Sequence, residues 1–267
     1  MPHNHNEPGR PVTVYYKALG PGGRALMGDG TWHLPAGGRP GKWMPEITDL
    51  VPCQRGYHVA TDLQLVNWLG PELFETECRG EHIDHGDKHV FSQARLVRRL
   101  AWDDRTARLF AADIAERVLP VFEAHRPGDK RPHRAIDVAR AFANSQATVE
   151  DLIAVRDLAM DAARAVTKGA AHAAAMDAAW AAAWAASGEA AWAAARAAAK
   201  TAAWAAAMAT AGDVARTAAM DAARDAAWDV ARDMAWAAVK DAARDAALAA
   251  EREWQARRLF QLIGADQ

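Results

Sequence analysis

A repeat of four residues runs from Arg156 to Arg252 and constrains the fold of this chain more than any other feature. The third and fourth positions of each tetrad are nearly always alanine, and the second is often aspartate. Alanine is the strongest helix former and is poor in strands, so the repeat predicts helices rather than a β-solenoid. The first position holds a large residue almost every time, and its tryptophans are Trp180, Trp184, Trp192, Trp204, Trp228 and Trp236.

The period of four does not match a helical turn of about 3.6 residues. Each tetrad therefore advances about 40° around the helix, and one straight helix would wind the large side chains around itself. Several shorter helices avoid this. Glycine and cap signals at Gly169, Ser187-Gly188 and Gly212-Asp213 supply the predicted breaks. The predicted helices span about 148–168, 170–186, 188–211 and 213–262.

The tryptophans of the repeat have two main interpretations. They fill the interior while the charged residues form a solvated face, or they form a docking surface for another chain, as large exposed apolar patches do. A third interpretation is a low-complexity expansion of an alanine-rich segment, against which the unbroken frame of the repeat argues. The sequence leaves the choice between interior and interface open.

Composition changes near residue 100 and predicts two domains. We expect a disordered tail at 1–11, a small α+β domain with an antiparallel sheet at 12–100, and an all-α, alanine-rich antiparallel helical bundle at 101–267. The net charge of −2 gives no reason to expect nucleic-acid or membrane binding. Two cysteines do not suggest a disulfide scaffold, and a polar N-terminus does not resemble a signal peptide, so we expect a cytoplasmic protein.

The first hundred residues contain short strand signals and one helix signal. β-Branched and aromatic residues predict strands at 12–19, 56–60, 73–79 and 89–97, and a turn at 80–88. Thr61 or Asp62 is predicted to cap a helix that reaches Trp68 and Leu69.

The segment that precedes the repeat predicts two more helices and a cap. The first spans Trp102 to Phe122 and is expected to kink or end near Pro120. The second begins near Pro132 and ends around 144–145, and Thr148 with Asp151 indicates a capping box for the next helix.

Two sets of residues could carry chemistry. Cys53 and His58 suggest a thiol–imidazole pair, but five residues of separation do not by themselves place the base against the nucleophile. No Walker, Rossmann, His-Glu-x-x-His or Gly-x-Ser-x-Gly motif is present, so we expect a protein without enzymatic activity and without a cofactor. Zinc-ligand residue types also occur at suitable spacing, although solvated histidines explain them more simply, at Cys78, His82, His85 and His89.

The two halves of the chain resemble different families. Residues 12–100 resemble a phage and bacterial domain of unknown function through Tyr16-Lys17, Cys53-Gln-Arg-Gly56-Tyr57-His58, Gly80-Glu81 and Asp87-Lys88. Residues 105–215 resemble the helical family of immunity proteins of bacterial toxin systems, in which an Arg-Pro-Arg-x-Ala-Ile segment leads into stacked alanine-rich helices. The matching residues are Arg131, Pro132, Arg134, Ala135, Ile136, Ala139 and Arg140.

The second resemblance implies a module that inhibits or sequesters a partner protein, and the first suggests a phage or mobile-element origin. The alternatives are a structural protein whose Ala/Trp helices form homo-oligomers, and an enzyme that uses Cys53 and His58. Arg131, Arg134 and Arg140 are read either as surface charge or as a basic patch that faces an acidic partner. The predicted partner-binding residues are these three arginines with Trp192, Trp204, Trp228 and Trp236.

Overall fold

The computed structural model describes residues 13–166, 170–186, 191–225 and 229–264. A five-stranded antiparallel sheet is followed by a helical region, which confirms the predicted fold class. The chain divides into two compact units, one formed by Met1–Leu65 with Phe74–Arg99 and the other by Val66–Leu73 with Leu100–Gln267.

The sheet of the first unit contains five strands in the order β2-β1-β4-β5-β3. The strands are β1 (Tyr15–Gly20), β2 (Arg24–Ala25), β3 (Tyr57–Val59), β4 (Glu72–Asp84) and β5 (His89–Arg99). Reciprocal backbone hydrogen bonds of 2.7 and 2.9 Å between Tyr16 and Ala60 also join β1 to the chain just after β3. The sheet therefore curls, and its concave side encloses a core of Leu19, Trp32, Tyr57, Phe74, Ala94 and Leu96.

Strand β4 is longer than predicted. It continues to Asp84, so most of the predicted turn at 80–88 is strand, and the hairpin turn occupies only 85–88. The pairing of β4 with β5 shifts between Arg79 and His82. Gly80 has φ +84° there, and a Cβ at this position would collide with the Ser92 hydroxyl. Gly80 therefore forms a bulge within the strand instead of a turn that ends it.

The helix predicted after Thr61 is short. Helix α1 covers Asp62–Leu65 and passes into a 3₁₀ turn at Val66–Trp68. Six further helices are described: α2 (Asp104–His125), α3 (Arg131–Ala143), α4 (Val149–Arg164), α5 (Ala170–Ala185), α6 (Ala191–Asp225) and α7 (Asp229–Leu262).

Helix α2 packs against α3, α5, α6 and α7. Its N-terminus is capped by Asp103, whose carboxylate accepts the backbone N–H of Thr106 at 2.7 Å. Pro120 does not end the helix, which continues to His125. Phe122 lies beyond the proline and is completely buried, and its burial offsets the one backbone hydrogen bond that proline removes.

Helix α4 begins with the predicted capping box. The Thr148 hydroxyl accepts the backbone N–H of Asp151 at 3.1 Å, and the Asp151 carboxylate accepts the backbone N–H of Thr148 at 3.0 Å. This reciprocal arrangement satisfies two amides that the helix itself leaves without an acceptor.

One predicted break in the repeat is wrong. Helix α6 passes through Gly212 and ends at Asp225. A single glycine costs a helix only about 1 kcal/mol relative to alanine, and the flanking alanines outweigh this cost. The break predicted at Gly188 and the one at Gly169 lie outside the described residues.

Alanine forms most of the interior where α5 meets α6. On the two helices the completely buried residues include Ala178, Ala182, Ala194, Ala198 and Ala202. Trp180, Trp184 and Trp192 are half-buried, and Trp204 is 45% exposed. The described tryptophans therefore lie at the margins of the alanine contacts, and Trp204 does not fill the interior.

Candidate protein-binding surface

Arg140 ties α3 to α2. Its guanidinium donates to Glu116 at 2.6 and 2.9 Å and to Asp113 at 2.8 Å. The hydrogen bonds to Glu116 raise the pKa of Arg140, desolvation opposes this, and the hydrogen bond to Asp113 adds to the increase. Asp113 also accepts two contacts from Arg258 of α7, at 2.7 and 2.8 Å. One carboxylate of α2 thus joins three helices.

The other two arginines of α3 differ from each other in exposure and partners. Arg131 forms a two-point contact with Asp129, at 2.6 and 2.9 Å, which lowers the pKa of Asp129 and raises that of Arg131. Arg134 is exposed, and it attracts the Asp151 carboxylate electrostatically without forming a hydrogen bond or ion pair to a side chain that the structure describes. Of the three predicted arginines, Arg134 is therefore the one whose charge is available to a partner without breaking an internal contact.

The outward side of α6 carries four large residues at four-residue intervals: Trp192, Arg196, Lys200 and Trp204. We call these residues the α6 stripe. The guanidinium of Arg196 lies 5.2 Å from the ring centroid of Trp192, within range of a cation–π interaction. Lys200 is exposed, and residues 191–211 include no acidic residue. The stripe therefore combines aromatic surface with positive charge.

The inward side of α6 is held by α7 and α2. Gln255 of α7 donates through Nε2 to the carbonyl oxygen of Ala199 at 3.0 Å and to Glu251 at 3.2 Å. Glu251 is 3% exposed and accepts a hydrogen bond of 2.7 Å from Arg117 of α2. Burial raises the pKa of Glu251, and the hydrogen bond from Arg117 opposes the increase. These contacts hold the inward side of α6, which includes the Ala199 carbonyl, against α7, and the stripe lies on the outward side.

Sequence reasoning missed this buried group, although a signal for it exists. Glu251 occupies the fourth position of its tetrad, which is alanine in nearly every other tetrad, and Gln255 follows at the same phase. Polar residues at an otherwise alanine-filled, inward position require internal hydrogen bonds. The partner Arg117 is 134 residues distant along the chain, and spacing does not reveal it.

Two of the predicted partner-binding tryptophans cannot be placed on this surface. Trp228 lies outside the described residues, as does the side chain of Trp236 within α7. The remaining predicted residues fall on α3 and on the α6 stripe.

The structure places Cys53 and His58 close together without pairing the thiol with the imidazole. The His58 Nε2 atom accepts the backbone N–H of Cys53 at 2.8 Å. Desolvation, with the nearby charges of Lys17 and Lys88, lowers the pKa of His58, and the hydrogen bond to the Gly56 backbone opposes these effects. The lone pair that a general base would use is thus occupied by a backbone amide.

The four zinc-ligand candidates do not converge. Cys78 packs against the core of the sheet, and burial raises the pKa of its thiol to about 12, with a smaller contribution from Glu77. A hydrogen bond of 2.8 Å joins Nε2 of His82 to Nδ1 of His89. His85 contacts Asp87 instead, in the hairpin turn. Within the described residues, no group of three or more His, Cys, Asp or Glu side chains is arranged to hold a metal ion.

Comparison with known proteins finds a similarity within the first part of the helical segment. Residues 102–189 match the family described as Imm-5 like putative immunity protein. This match covers about a third of the chain. The match extends from just before α2 to just after α5 and confirms the resemblance expected for this part. No curated protein and no solved structure shows significant similarity to the chain. In the described part of the chain, no helix combines the length and the apolar character needed to cross a bilayer.

Proposed function

We propose that this protein is an immunity-type inhibitor, which acts by binding a partner protein and not by catalysis. The match of residues 102–189 to the immunity family carries the proposal, because these residues build α2 to α5, to which α6 and α7 are attached. The partner is a bacterial toxin, which the inhibitor sequesters in the cytoplasm. The resemblance of residues 12–100 to a phage and bacterial domain supports a phage or mobile-element origin.

The proposed binding surface consists of Arg134 on α3 and the α6 stripe. Arg134, Lys200 and Trp204 are exposed, and Arg and Trp are enriched among the residues that dominate binding energy in interfaces. Arg131 and Arg140 support this surface by fixing the start of α3 and its contact with α2. Trp228 and Trp236, whose side chains lie outside what the structure describes, stay predicted contact residues and are not assigned to this surface.

Growth rescue tests the proposal. A toxin domain encoded next to this gene would be expressed in a bacterial host with and without the full-length chain. We expect growth to be restored by the wild-type protein, and to be lost again when Trp204→Ala and Arg134→Ala are combined. Growth arrest that persists with folded wild-type protein, for every neighbouring toxin domain, would contradict the proposal.

A second candidate function is self-assembly through the same helices. The observation that favours it is the 45% exposure of Trp204 beside an alanine-lined helix, since an exposed indole on a smooth helix suits a contact between copies. Light scattering of the full-length chain separates the two functions. A concentration-dependent oligomer that dissociates into monomers in the Trp204→Ala variant supports self-assembly. A monomer at all concentrations excludes self-assembly.

A further inference from the structure

The α6 stripe has a charge that nothing in the described structure neutralises. Arg196 and Lys200 form no ion pair with any acidic side chain among the described residues. By contrast, Arg131, Arg140 and Arg258 each contact a carboxylate at 2.6 to 2.8 Å. The charges of Arg196 and Lys200, like that of Arg134, are therefore available to a partner without breaking an internal ion pair that the structure describes.

The stripe also exposes apolar surface next to its charges. Trp204 is 45% exposed and directly follows Lys200 in the four-residue series. The series spans about 18 Å along the axis, from a rise of about 1.5 Å per residue. Four-residue steps rotate the side chains by about 120° in total, so the stripe runs obliquely across the helix. A partner would cross α6 at an angle and meet two cationic groups with a tryptophan on either side of them.

We propose that the α6 stripe binds an acidic protein segment that carries an apolar anchor residue. Carboxylates of the segment pair with Arg196 and Lys200, and the anchor packs against the Trp204 indole. The cation–π contact with Trp192 holds the Arg196 guanidinium in place before binding, which lowers the entropy lost on association. This inference deepens the proposed function by giving the chemical class of the partner, and it rests on that function only for the statement that binding inhibits.

The charge balance of the protein favours an acidic protein segment over a nucleic acid. Nucleic-acid surfaces neutralise several phosphates with a dense set of lysines and arginines. The stripe offers two cations, and the whole chain carries a net charge of −2. Two cations next to the exposed indole of Trp204 suit a short segment with a few carboxylates, and electrostatic complementarity of this kind favours the correct partner.

Peptide titration tests the inference on the full-length protein. The probe is a helical peptide of about 20 residues, built from glutamate, alanine and leucine with one phenylalanine, a length that spans the stripe. A matched peptide has glutamine in place of glutamate. Calorimetry at low and high salt measures both affinities. We expect the acidic peptide to bind at least about tenfold more tightly than the neutral peptide at low salt, and the difference to shrink at high salt.

Three variants locate the binding site. Arg196→Glu combined with Lys200→Glu is expected to weaken acidic-peptide binding by about tenfold or more, and Trp204→Ala by a comparable factor. The matched control is Arg257→Glu on α7, an exposed residue whose 3.6 Å contact with Glu253 is a weak surface pair, and it should bind as the wild type does. Circular dichroism confirms that each variant retains its helices.

Several outcomes would overturn the inference. Equal affinity for the acidic and neutral peptides, no binding of either, or an equal loss in the Arg257→Glu control would each do so. Binding of a single-stranded oligonucleotide but not of the acidic peptide would replace the protein partner by a nucleic acid. The growth-rescue assay and the peptide titration can fail separately. A chain that binds the peptide at the stripe but does not restore growth supports this inference and contradicts the inhibitor function.

Discussion

The side-chain amide of Gln255 on α7 donates to the backbone carbonyl of Ala199 on α6 across 3.0 Å, and Gln255 is 1% exposed. A helix carbonyl already accepts one hydrogen bond from its own helix, so this contact uses its second lone pair. The bond links two helices whose other buried residues, where the structure describes them and apart from Glu251, are apolar, such as Ala202 on α6 and Leu259 on α7. It acts as a specific polar contact in an interior that has few.

Replacing Gln255 by alanine should destabilise the helical unit by about 1–3 kcal/mol, because it removes buried hydrogen bonds and leaves a cavity. Urea unfolding followed by circular dichroism measures the change. The control is Arg257→Ala, two residues away on the exposed side of α7, where we expect a loss below about 0.5 kcal/mol. Equal effects of the two substitutions would show that Gln255 adds nothing beyond helix propensity.

Arg140 and Arg134 lie on the same helix and should respond differently to alanine substitution. Arg140→Ala leaves Asp113 and Glu116 without their shared partner and should cost about 1.5–3 kcal/mol of stability, the range for hydrogen bonds to charged groups. Arg134→Ala should leave stability unchanged and affect only partner binding. Thermal unfolding of both variants checks this, and a stable Arg140→Ala variant would contradict the structural role given to that residue.

Gly212→Ala should stabilise the protein by about 0.5–1 kcal/mol, because α6 passes through this residue and alanine is the better helix former. Gly80→Ala should destabilise the protein, because Gly80 has φ +84° and an added Cβ has no space beside Ser92. Unfolding curves of both variants give the two signs. A destabilised Gly212→Ala variant would instead indicate that the helix is interrupted at Gly212.

Glu251 should make stability depend on pH in the mildly acidic range. Burial, the largest cause, raises its pKa above the ordinary value of 4.5, so the folded state binds this proton more tightly than the unfolded state does. Protonation of Glu251 therefore stabilises the folded protein fully at pH values below 4.5. This stabilisation is lost as the pH rises through the pKa that Glu251 has in the folded state. Subtracting the unfolding free energy of Glu251→Gln from that of the wild type isolates it. A difference that grows with pH in this window would contradict the raised pKa.

Local signals predicted α2, α3 and α4 well, because caps and apolar spacing act over a few residues. The Thr148–Asp151 box and the start of α3 near Pro132 are examples. The repeat was harder, because alanine supports a helix at every position and Gly212 was too weak to interrupt it. The end of α6 at Asp225 and the start of α7 at Asp229 therefore could not be read from glycine alone, whereas the predicted end of the last helix at 262 is confirmed.

The candidate surface was predictable only in part. The four-residue period of the sequence groups Trp192 and Trp204 with the basic residues between them. The exposure of Trp204 depends instead on what α5 and α7 cover, which the period does not reveal. Arg140 could not be distinguished from Arg134 by sequence, because its partners Asp113 and Glu116 lie more than 20 residues earlier, on α2. Contacts between distant segments decide which charge faces solvent.

The alanine interior separates two kinds of evolutionary freedom. At buried positions such as Ala182, Ala198 and Ala202, even one added methylene group requires the helix backbones to move apart, so these sites tolerate almost no change. The first position of each outward tetrad meets no such limit. New side chains can therefore be tried there without refolding the scaffold, and a lineage of such proteins could change its molecular targets while its monotonous inner face stays the same.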